Sequence, residues 1–126
     1  MSGEATQVLA DFAAGLGYDA IPERVREACK DLLLDALACA VAGNRGEETG
    51  QMAALAAALA QSRESSVLGG DRLSLAGATL LNGYLITAVT MCDVHRASLT
   101  HITPEVVPPA LAIGERDALS GRDLLV

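Results

Sequence analysis

Cys92-Asp93-Val94-His95-Arg96, followed six residues after His95 by His101-Ile102-Thr103-Pro104, gathers proton-handling groups into one short stretch. Both histidines of the chain lie in it. Imidazoles titrate near neutral pH, and a carboxylate close by can orient one, so Asp93, His95 and His101 are candidates for general acid/base work. The stretch follows an uncharged run from Leu73 to Cys92 and precedes another helical pattern, which puts it on a connection rather than a solvated helix face. That placement predicts an active-site loop.

Each residue of the cluster has a chemical use and a plainer alternative. His101 suits the removal or delivery of a proton at a carbon next to a carboxylate; the alternative is an ordinary hydrogen-bonded loop histidine. His95 carries the same pair of readings. Asp93 suits orienting an imidazole and fixing its tautomer, or else bonding loop N–H groups. Arg96 offers a bidentate contact to a substrate carboxylate, against a solvated charge or a partner for Asp93. The turn from Thr103 to Val107 offers backbone N–H groups and a positive dipole end to a substrate carboxylate, although its prolines remove donors. Cys92, Asp93, His95 and His101 are also possible zinc ligands, but their spacing matches no recognised zinc motif, so no metal is expected.

The elements that must position this loop read as helices. The composition is 51% hydrophobic but only 2% aromatic, so a core must be built from Ala, Leu and Val, whose small volumes allow close helix packing. Strong helix formers dominate, which predicts an all-α, bundle-like array. Val8, Leu9, Phe12, Ala13 and Leu16 mark one face of a helix over about 4–16. Pro22, as first helical residue, opens a second helix to about Ala42; beyond Asp31 it is apolar nearly all round, which predicts deep burial with Asp35 as a satisfied buried carboxylate. An Ala-rich helix near 50–61 leads to a short extended piece and turn at 65–70. Ser74 caps a central helix over about 75–90, on which Thr79, Gly83, Thr87 and Thr90 form a seam of small groups. Pro108 and Pro109 predict that the next helix begins in earnest there and runs to about Arg116. Ser120 and Asp123 have capping-box spacing, before Leu124-Leu125-Val126. One turn is not stable alone, so the segment reads as the opening of something longer.

Charge and cysteines narrow the class. The net charge is −7 with acids and arginines interspersed, so nucleic acid is not an expected partner. Lys30 is the single lysine, which leaves little room for Schiff-base chemistry. The uncharged run 73–92 is long enough to cross a bilayer, yet its Ser, Thr, Asn and Gly content predicts a buried soluble helix and no membrane. Cys29, Cys39 and Cys92 show no paired spacing and no signal sequence precedes them, so free thiols and a cytoplasmic setting are expected, with Cys29 and Cys39 as small core residues.

The residues in order also carry a family likeness. Phe12-Ala13, Leu32 to Cys39, Val67-Leu68-Gly69, Asn82-Gly83, Asp93-Val94-His95, His101 and Val106 to Ala112 together resemble the N-terminal part of the MmgE/PrpD family, over nearly the whole chain. That family includes 2-methylcitrate dehydratases, cis-aconitate decarboxylases and a few epimerases. The resemblance implies a partial helical domain over 1–126 with the lid domain and other basic site residues beyond Val126. It also implies homodimers, a small di- or tricarboxylate substrate, and acid/base chemistry without a metal cluster or other cofactor. His101 matches the family's loop histidine, a proton carrier. Where dehydratases and decarboxylases commonly read Asp-x-Asp-Asp-Thr-His, this chain reads Thr90-Met91-Cys92-Asp93-Val94-His95. The second aspartate of the pair and the histidine are kept, and Thr90 and Val94 stand in place of a carboxylate and a hydroxyl, which leaves the substrate open. The remaining alternative is a shortened, non-catalytic dimerisation or interaction module.

Overall fold

Small side chains let helices approach until backbones nearly touch, and the fold is built on that approach. The structure is a computed structural model and describes residues 2–126. Five helices follow one another: α1 (Ser2–Gly15), α2 (Glu23–Gly43), α3 (Thr49–Ala58), α4 (Leu75–Thr87) and α5 (Thr103–Arg116). A hairpin of β1 (Ser65–Ser66) and β2 (Arg72–Leu73) is the one sheet among the described residues, pairing Ser65 with Leu73 and Ser66 with Arg72. The expected all-α class holds.

The core is centred on α4. Leu81, Leu85 and Ile86 of α4 meet Ala36, Cys39 and Ala40 of α2 and Ala56 of α3, with Val67 closing one side. Close approach is visible at the glycines. A Cβ at Gly43 would lie 2.0 Å from the Leu85 carbonyl oxygen, and one at Gly77 would lie 2.6 Å from that of Ala56. Ser74 caps α4 by accepting from the Gly77 N–H at 3.1 Å, as its position predicts.

Asn82 ties the hairpin to α4. Its Oδ1 accepts from the Leu68 N–H at 2.8 Å and its Nδ2 donates to the Ser66 carbonyl at 3.0 Å. From the other side Glu115 of α5 accepts from the Ser66 N–H at 2.6 Å and from Arg72. The turn between the strands uses Gly69 at φ +78°.

Several expectations need correction. Helix α5 does not begin at Pro108 but runs unbroken from Thr103 through both prolines. Pro108 cannot donate to the Pro104 carbonyl, and its ring would crowd a straight helix. Gly83 of α4 supplies the room: a Cβ there would lie 3.3 Å from the Pro104 oxygen and 3.9 Å from Pro108 Cγ, so the seam on α4 receives the irregular turn of α5. Pro22 precedes α2 as its N-cap instead of opening it. The second half of α2 buries one face alone, with Leu34 67% exposed, and Asp35 is exposed rather than buried. Of the two cysteines expected in the core, Cys39 is buried and Cys29 half-buried. The apolar face of α1 is also uncovered, Phe12 being 63% exposed. The capping box at the end forms: Ser120 Oγ accepts from the Asp123 N–H at 3.3 Å, and the Ser120 N–H donates back to Asp123 Oδ2 at 2.8 Å. The turn it starts, Asp123–Leu125, is 3₁₀.

Among the described residues no helix is long and apolar enough to cross a membrane.

Candidate functional site

The loop between α4 and α5 leaves its helix through Thr90, which has φ +52°, and turns again at Leu99, also φ +52°. Left-handed backbone is costly for both residue types, most of all for a β-branched threonine, so contacts elsewhere in the loop must hold it. One set is a small turn. The His95 N–H donates to the Thr100 carbonyl at 2.8 Å and the Ser98 N–H to the His95 carbonyl at 3.2 Å. The His95 imidazole joins in, its Nδ1 lying 2.7 Å from Ser98 Oγ. His95 is exposed and no hydrogen bond links it to His101 among the described residues.

The second set is made by Asp93. Its Oδ1 accepts from the Thr103 N–H at 3.0 Å and from the Thr103 hydroxyl at 2.5 Å, so it caps the first turn of α5 from ten residues upstream. Burial pushes the carboxyl pKa up. The Thr103 hydroxyl, the N–H groups of Thr103 and Ile102 and the charge of His101 outweigh that and hold it below its ordinary value. Thr103 is only 2% exposed. Of the N–H groups that the sequence offers to a substrate carboxylate, that of Thr103 is directed at Asp93, and those of Glu105 and Val106 donate to the Ile102 carbonyl.

His101 lies over the same residue. Its Nδ1 is 2.9 Å from the main-chain oxygen of Asp93 and 3.4 Å from Cys92 Sγ, and the ring is on the exposed side of the loop. Burial and the neighbouring Asp93 charge raise the Cys92 thiol pKa, so Cys92 meets the ring as a neutral thiol at pH 7. Cys92 as a neighbour of His101 was not legible as such, because the pair is nine residues apart and joined by the loop's closure. Arg96 is exposed and pairs with no acid among the described residues; Asp93 turns to Thr103 instead.

Beyond the ring of Asp93, His101 and Thr103, an apolar groove of about 340 Å³ runs between α2 and α5. Leu32, Leu33, Val106 and Ala110 line it, Ile102 and Thr103 mark one edge, and none of the side chains lining it carries a charge. The groove starts at the loop but does not contain the imidazoles. Among the described residues no three His, Cys, Asp or Glu side chains come together in a way that could hold a metal ion.

The sequence matches a family pattern along almost its entire length. The model of the MmgE/PrpD N-terminal domain matches residues 7–126. The chain belongs to the MmgE/PrpD family. Within that family, a cis-aconitate decarboxylase-like protein of Aspergillus oryzae is 30% identical over 132 residues, which cover 98% of this chain and 27% of that protein. A cis-aconitate decarboxylase of Aspergillus terreus is 28% identical over 120 residues, 94% of this chain and 24% of that protein. This MmgE/PrpD chain thus spans about a quarter of the length of these relatives. No solved structure matches it.

Proposed function

We propose that the chain is the N-terminal part of a lyase or isomerase that moves a proton on a small di- or tricarboxylate, with His101 as the proton carrier. The reading rests on one observation above the others: within a chain of this family, an imidazole sits on the open side of the α4–α5 loop with one nitrogen held by the main chain. A ring held at one edge and free at the other can deliver a proton in a fixed direction. His95 is the second candidate for proton transfer, Asp93 and Thr103 hold the loop, and Arg96 is the free cation nearest in sequence that could meet a substrate carboxylate. The relatives' names favour decarboxylation over dehydration or epimerisation, and cis-aconitate is the first substrate to try. The working unit is a cytoplasmic homodimer needing no cofactor, with the remaining site residues and the lid on sequence corresponding to the rest of the relatives.

The test is turnover of cis-aconitate, 2-methylcitrate and related acids by the protein as its source cell makes it, beside His101→Ala. We expect at least one acid to be consumed, and the variant to lose about 10²–10⁴-fold in kcat. A variant as active as the parent would sink the assignment of His101. The 126-residue chain by itself is expected to show no turnover, and conversion by it would overturn the view that the site is shared with other sequence.

The uncovered apolar face of α1 supports a second reading, a non-catalytic dimerisation or interaction module. An intact mass in the source cell equal to that of the 126 residues, with no acid consumed, would favour it.

A further inference from the structure

His101 has two ring nitrogens, and the structure distinguishes them. Nδ1 faces the Asp93 main-chain oxygen at 2.9 Å, and a carbonyl oxygen only accepts, so the proton must be on Nδ1. Cys92 Sγ is farther away at 3.4 Å and is a weak partner in either direction. A neutral imidazole has a single ring proton. Nε2, which makes no hydrogen bond among the described residues, is therefore left with a bare lone pair.

The carbonyl that selects the tautomer is held by the side chain of the same residue. The Asp93 carboxylate takes the N–H and hydroxyl of Thr103, two residues beyond the histidine, so one aspartate holds both the His101 ring and the backbone that follows it. Leu99 keeps its left-handed backbone inside the segment this grip closes, and Thr90 turns the chain three residues before it. We propose that Asp93 and Thr103 are positioning residues that lock His101 as the Nδ1–H tautomer, making Nε2 the atom that exchanges a proton with substrate. The last clause rests on the function proposed above. The tautomer stands on its own.

Ring-nitrogen NMR of the 15N-labelled 126-residue protein reads the tautomer directly, at a pH about two units above the ordinary histidine value of roughly 6.5. Free histidine side chains in water favour the proton on Nε2, so the expected result for His101, a protonated Nδ1 and a bare Nε2, runs against the default. Cys92→Ala should leave that pattern unchanged. Thr103→Val, which keeps the N–H but removes the hydroxyl, should shift His101 toward the mixture seen for free imidazole, and Thr103→Ser should restore the parent pattern. Dispersed amide signals serve as the folding control in each case. His101 in the Nε2–H form in the parent would overturn the proposal, and so would loss of the Nδ1–H form in Cys92→Ala alone. A locked tautomer without any turnover by the source-cell protein would leave the tautomer and its positioning residues standing and count against the function and the role of Nε2; turnover with an unlocked tautomer would overturn the inference and leave the function.

Discussion

Gly43 of α2 lies directly against the backbone of Leu85 in α4, so near that a Cβ at position 43 would sit 2.0 Å from the Leu85 carbonyl oxygen and 2.9 Å from its carbon. Neither atom belongs to a side chain that can swing away. Gly43→Ala must push the two helices apart, and we expect a loss of about 3 kcal/mol or more in urea unfolding. Gly50→Ala, in α3 with nothing within 4 Å, should be neutral or stabilise by up to about 1 kcal/mol. Equal midpoints for the two variants would mean that the α2–α4 crossing is not as tight as described.

Asn82 holds the hairpin with both ends of its amide while 1% exposed. Asn82→Ala strands the Leu68 N–H and the Ser66 carbonyl, and a cost of about 2–4 kcal/mol follows from two unpaired groups. Hydrogen exchange at the Leu68 amide should speed up more than exchange at amides in the middle of α2. Uniform acceleration would point to global destabilisation without a hairpin role.

Acid should loosen the protein through Asp93 and Glu115. Hydrogen bonding from the Ser66 N–H, against an opposing effect of burial and with help from the Ser66 hydroxyl and Arg72, lowers the Glu115 pKa; Asp93 is lowered as described above. A carboxyl whose folded pKa is depressed contributes stability that is complete above its unfolded value and is lost as pH falls through the folded one. The urea midpoint should therefore be level down to about pH 5 on account of these groups and fall below about pH 4. Asp93→Asn and Glu115→Gln together should flatten that fall; an unchanged acid limb would show that other carboxylates cause it.

Leu85 and Phe12 are both large apolar residues on helices, but Leu85 is 0% exposed and Phe12 is 63% exposed. Leu85→Ala should cost about 2–5 kcal/mol. Phe12→Ser should change the stability of dilute protein by no more than about 0.5 kcal/mol. A large loss at Phe12 would reveal that α1 is packed against something in solution.

Local signals were the legible part of this chain. Ser74 as a cap, the Ser120–Asp123 box, the turn at Gly69-Gly70 and the helical periodicities are all settled by neighbours within four residues, and those survive in the structure. What failed depended on distant partners. Pro108 reads as a break until Gly83 of α4 is placed beside the carbonyl it leaves unpaired. Leu34 and Asp35 read as buried because an apolar run says how a helix is coloured and not how many neighbours it has. The cluster at 92–103 was visible as chemistry from residue types alone. Its internal wiring was not, because the hydrogen bonds of Asp93 and His101 span ten and eight residues of irregular backbone.

The first turn of α5 is an anion site whose occupant is covalently attached. A dissolved anion, whether chloride, phosphate or a metabolite, could dock on the Thr103 N–H and hydroxyl only by evicting Asp93. The tethered carboxylate competes at an effective concentration that free ions do not reach at ordinary ionic strength. Salt therefore acts on the outer surface of this loop, and an ordered loop and a foreign anion at that helix end are mutually exclusive states.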